Sequence, residues 1–157
     1  MKELQGIEEI ASLTRQELSD FVIEGAKSKT FDNNWCGTCL ICSWVLNQVL
    51  RSYGIKSELC IGRYDGISHA FAVVKDHVVD ITATQFEKSE VVVEPLYGSN
   101  YAIEHKGQAA RLKMKEWPSE QQPRTYRKKL GNIIRRLNQQ GAGDHVKSRI
   151  GASETSE

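Results

Sequence analysis

Apolar positions in this chain recur with a helical period near its start, with a strand-like period through its middle, and with a helical period again towards its end. Leu18, Phe21 and Val22 follow Thr14-Arg-Gln-Glu17, which has the form of a capping box, and Gly25 comes just after them. A short helix with one apolar face is therefore expected from Thr14 onward. Lys27 to Asn34 is polar and turn-rich and reads as a loop. From Cys39 the helical period returns: Cys39, Cys42, Ser43, Leu46, Val49, Leu50 and Tyr53 share one side, and Asn47, Gln48, Arg51 and Ser52 the other. Gly54 stands where a left-handed residue would end that helix.

The period then shortens to that of strands. Ser57 to Tyr64 (SELCIGRY) reads as a strand and Asp65-Gly66 as a turn. His69 to Val74 and His77 to Thr82 read as two more strands joined at Lys75-Asp76, and Val91 to Tyr97 adds a further β-rich run. A helix followed by three or four antiparallel strands predicts an α+β fold, with that helix packed on the sheet. After Pro123, Leu130, Ile133, Ile134 and Leu137 form a helical stripe among many arginines and lysines. This predicts a basic amphipathic helix over about residues 123–140, closing a single domain of residues 1–140, with the small, polar stretch 141–157 expected to be a disordered tail.

Composition narrows the class. Apolar and charged residues make up 39% and 26% of the chain, as in a soluble globular protein, and a net charge of +1 gives no reason to expect nucleic acid or membrane as partner. The basic C-terminal helix is the one place where an acidic partner is expected to dock. No run approaches the ~20 apolar residues of a membrane span, and MKELQGIEEIASL lacks the apolar core of a secretory signal. The expectation is a cytoplasmic protein, or one delivered to a target cell by a signal-less route, with its cysteines reduced.

Those cysteines carry the candidate chemistry. Cys36, Cys39 and Cys42 lie within one short stretch, NNWCGTCLICSW, and Cys60 lies in the first strand. A helix N-terminus and a neighbouring histidinium both favour a thiolate, and Cys39 opens the predicted helix just after Gly37, where the backbone can turn tightly. Cys36 falls outside that helix and Cys42 one turn inside on its buried face. Of His69, His77, His105 and His145, only His69 begins a strand with a carboxylate placed to orient it. If Lys75-Asp76 is a two-residue hairpin loop, His69 opposes Thr82, and Asp80 is its diagonal neighbour on the same face, about 7 to 8 Å away at Cα.

At these residues the chain resembles a family. GTCLICSWVLNQVLRSYGIKSELCIGRY is similar to the nucleophile helix and following strand of the transglutaminase-like branch of the papain-like cysteine enzymes, and SHAFAVVKDHVVDITAT resembles that branch's His-Ala-aromatic and Asp-x-Thr strands. Phe71 stands where a Trp is usual and Ile81 where a Pro is usual. The resemblance implies a papain-like, transglutaminase-like fold and a catalytic triad of Cys39 as nucleophile, His69 as base and Asp80 as orienting acid. It also implies an oxyanion hole in which the Cys39 N–H is joined by Asn33, six residues upstream, or by Trp35. The implied activity is a cysteine-dependent amide hydrolase or acyltransferase working through a thioester on a protein or peptide substrate. Protein glutamine is the expected target, proteolysis is the alternative within the same class, and no cofactor is needed. Two other readings compete: the cysteines as zinc or iron–sulfur ligands, and the cysteines as small core residues beside a structural histidine.

Overall fold

The computed structural model describes residues 2–28, 35 and 37–140. In chain order these form α1 (Lys2–Lys27), α2 (Cys39–Ser52), β1 (Ser57–Tyr64), β2 (Ile67–Val74), β3 (His77–Asp80), β4 (Val92–Pro95), β5 (Tyr101–Lys106), α3 (Gln108–Met114) and α4 (Arg127–Gln139). A 3-10 turn at Ala83–Phe86 links β3 to β4, and two more, Ser119–Gln121 and Pro123–Tyr126, lead into α4. The architecture is α+β: five antiparallel strands in the order β4-β3-β2-β1-β5, with helices packed against them.

The hairpin between β2 and β3 has the expected register. Lys75 and Asp76 both take positive φ, 47° and 61°, as a two-residue turn matched to strand twist requires, and Val74 pairs with His77. Pairing with β2 stops at Ala72 and Val79, while Asp80 continues the strand opposite Val92 of β4. β2, near the middle of the sheet, is buried on both faces from His69 to Ala72.

The helix from Cys39 ends as expected, with Gly54 at φ +80° just beyond it. Its polar side is narrower than its period suggests, however. Leu40, Ile41, Val45 and Asn47 are buried along with the predicted face: Leu40 packs with Leu59, Ile61 and Ala110, and α1 and α4 cover the side that the sheet does not. Asn47 is thereby enclosed, and its side-chain oxygen has no hydrogen-bond partner among the described residues.

The first helix is much longer than expected. Thr14 is not its cap but a buried mid-helix residue whose hydroxyl donates back to the Ile10 carbonyl at 2.8 Å. The reason is visible in the apolar stripe, which begins upstream: Ile7, Ile10 and Ala11 are buried on the same core as Leu18, Phe21 and Val22. Residues 29–34, most of the expected loop, lie outside the described residues, as does the expected tail 141–157.

The basic helix forms, beginning at Arg127 after the 3-10 turn at Pro123, and Leu130, Ile133 and Leu137 seat it on the shared core. Part of its charge is used within the molecule, since Lys129 pairs with Glu24 at 3.0 Å and Arg136 with Glu17 at 3.3 Å. Such exposed pairs orient α4 on α1 more than they stabilise it.

β5 and α3 have no counterpart in the sequence-based expectation. β5 joins the sheet beside β1, and the register shifts between Ile61 and Gly62. A Cβ at Gly62 would stand 1.9 Å from the Ala102 carbonyl oxygen, so only glycine lets the two backbones approach this closely. Gly62→Ala is expected to cost at least about 1–3 kcal/mol. In hydrogen exchange the amides of β5 should lose protection before those of β2.

Candidate active site

Cys39 is the first residue of α2. The turn before it is built by Gly37 at φ +87° and by Thr38, whose hydroxyl and backbone N–H both donate to the Trp35 carbonyl, at 2.5 and 3.3 Å. One turn into the helix, the Ser43 hydroxyl donates to the Ala70 carbonyl at 3.1 Å. This ties α2 to the strand residue that follows His69. Cys39 itself is 4% exposed, in an apolar cluster with Leu40, Leu59, Ile61, Ala70 and Ala110.

His69 and Asp80 meet as the register implied. His69 Nε2 lies 2.7 Å from Asp80 Oδ2, and both side chains are fully buried. With Nε2 committed to Asp80, Nδ1 is the ring nitrogen left to face a thiol, and Cys39 packs in one cluster with Ala70, the residue after His69.

Asp80 accepts three further hydrogen bonds. The Thr82 N–H and hydroxyl donate to Oδ1 at 2.9 and 3.1 Å, and the Tyr101 hydroxyl donates to Oδ2 at 2.7 Å. Burial pushes the Asp80 carboxyl up, but the charge and hydrogen bond of His69, with Thr82 and Tyr101, outweigh it and hold the group below its ordinary value. For His69 burial works downward and is likewise overcome by Asp80, aided by Cys39, so the imidazole is pushed up. Burial, then the charge of Asp80, raises the Tyr101 phenol, keeping it a neutral donor.

Aromatic rings surround the pair. Phe86 stands edge-on to the His69 ring at 4.9 Å, Phe71 is stacked at 6.1 Å, and Tyr64 lies against both Phe86 and Tyr101. This wall keeps water from the His–Asp contact, where an ion pair is then worth more than in solvent.

Other sequence-predicted residues take separate places. Trp35 is buried at φ 70°, its ring beneath the Arg15 guanidinium at 3.9 Å, in the core shared by α1, α2 and α4. Arg15 also donates to the Ile81 carbonyl at 2.5 Å, so α1 braces the chain just after Asp80. Asn33 and Cys36 lie outside the described residues. Cys39, Cys42 and Cys60 fall in three different apolar clusters, which leaves a shared metal site no common centre among them. Burial, the leading cause in both cases, pushes the Cys42 and Cys60 thiols up to about 12, as expected for core residues.

Neither a family model, a curated protein nor a solved structure matches this chain. Tyr101 and Gln85, which also reach the site, carried no sequence signal of their own. Tyr101 is 21 residues from its carboxylate partner and lies on the strand that the hydrophobic pattern missed. No helix among the described residues is long and apolar enough to cross a membrane.

Proposed function

We propose that this chain is a cysteine-dependent amide hydrolase or acyltransferase of papain-like, transglutaminase-like type, acting through Cys39, His69 and Asp80. One observation carries the reading: a fully buried His69 whose Nε2 is held by Asp80 at 2.7 Å, while Cys39, opening α2, packs against Ala70, the residue after it in β2. The Cys39 thiol gives its proton to Nδ1 and its sulfur attacks the carboxamide carbon. The oxyanion forms at the N-terminus of α2, where backbone N–H groups without intrahelical partners, that of Cys39 among them, can receive it. Nδ1 returns the proton to the departing nitrogen, ammonia leaves, and a thioester to Cys39 remains. Water then yields a carboxylate, or an amine yields a new amide.

The recessed thiol favours a side-chain amide over a peptide bond. A glutamine side chain is long, thin and unbranched, and can reach a cysteine that is only 4% exposed. A main-chain amide would have to bring both flanking residues with it. The expected substrate is therefore protein glutamine, giving deamidation or transamidation.

Mass spectrometry of candidate proteins incubated with the chain, with and without a primary amine, tests this. Glutamine residues should gain the mass of an amide-to-acid exchange in water, or of the amine in its presence. Backbone cleavage would move the reading to proteolysis, and no change beyond that seen with Cys39→Ala would overturn it.

A further inference from the structure

Gln85 sits on the 3-10 turn after β3, and its side-chain nitrogen lies 3.3 Å from His69 Nδ1, the atom that must exchange the proton. The orientation of that amide is settled by its second contact. Nε2 also donates to the Thr82 carbonyl at 3.0 Å, and turning the amide over would set its oxygen against that carbonyl. Gln85 therefore faces Nδ1 as a donor.

The contacts form a ring of hydrogen bonds: Gln85 to His69 Nδ1, His69 Nε2 to Asp80 Oδ2, Thr82 to Asp80 Oδ1, and Gln85 to the Thr82 carbonyl. All four contacts can be satisfied together only when Nδ1 carries no hydrogen, that is, in the neutral Nε2–H tautomer. Asp80 draws the ring towards the charged form, and Gln85 opposes it. A base that held its proton too firmly could not pass it to a leaving amine, so this opposition has a use.

We propose that Gln85 is a positioning residue for His69, selecting the Nε2–H tautomer and tempering the basicity that Asp80 imposes, so that the proton taken at Nδ1 can be given back. The groups acting on the ring are Asp80 from β3, Cys39 from α2 and Gln85, with Tyr101 from β5 and Arg15 from α1 acting through Asp80. Phe71, Phe86 and Tyr101 supply the rings around it. The inference rests on the proton exchange proposed between His69 and Cys39.

Nitrogen-15 NMR of the histidine side chains, assigned with His69→Ala, reads this directly. In the parent chain the neutral form of His69 should carry its hydrogen on Nε2. Gln85→Met keeps the length of the side chain and removes the donor, and its His69 titration midpoint should rise by about half to one pH unit. Gln85→Ala should do the same, and Gln85→Glu should raise the midpoint further. A midpoint that stays or falls in Gln85→Met, with the spectrum otherwise folded, would overturn the inference. Repeating the titration in Cys39→Ala separates the two claims: a His69 midpoint indifferent to Cys39 but raised by Gln85→Met sinks the thiol–imidazole reading and leaves the role of Gln85 standing.

Discussion

Cys39→Ala is expected to lower amide turnover by at least about a thousandfold, to the background of the buffer, while leaving the fold intact. The loss would follow from the proposed covalent catalysis, since without the sulfur no thioester could form and His69 would have no thiol proton to accept. The fold survives because the change removes one small atom from the rim of a cluster and breaks no backbone contact: the Cys42 N–H still closes the first turn on the Thr38 carbonyl at 2.9 Å. Cys42→Ala should behave in the opposite way. Its sulfur is fully buried in the core of α1, α2 and α4, so the substitution should cost about 1 kcal/mol of stability and spare the activity. Turnover and chemical denaturation measured on both variants check the pair of outcomes. Activity kept by Cys39→Ala would end the assignment.

That α2 opens at Cys39 and buries Cys42 one turn inside was legible in the sequence. A helical period that starts at Cys39 makes the three clustered cysteines unequal, and a two-residue loop at Lys75-Asp76 is enough to bring His69 and Asp80 onto one face. Both inferences are local, resting on a period or a turn within about fifteen residues.

What escaped the sequence depends on distance or on edges. Tyr101 bonds to Asp80 from an edge strand in which it alone is buried, so the alternation that marks a half-buried strand is faint. Gln85 reaches back to His69 through a 3-10 turn that has no apolar period at all. Thr14-Arg-Gln-Glu17 misled because a capping box and a mid-helix threonine share the same letters. Only the buried Ile7, Ile10 and Ala11 upstream distinguish them.

Asp80→Asn should remove most of the pH dependence of stability between neutral and alkaline pH. In the parent chain His69 is raised above its ordinary 6.5 to about 10, so the stability contributed by its protonated form is fully present below pH 6.5 and is lost as pH climbs towards 10. Asp80 is lowered beneath its ordinary 3.8, so the same interaction, counted once, is present above that value and is lost as pH falls through the folded one. Stability should therefore be greatest between about pH 4 and 6.5. Asparagine keeps the shape but not the charge, and it leaves a buried imidazole without its counter-ion, at a cost of about 3–5 kcal/mol near pH 6. Tyr101→Phe removes one of four hydrogen bonds to the same carboxylate and should cost less, about 1.5–3 kcal/mol, while keeping the alkaline decline. Urea denaturation from pH 4 to 10 distinguishes the three chains. An alkaline decline in Asp80→Asn as steep as in the parent would show that the His69–Asp80 contact is not what couples this fold to the proton.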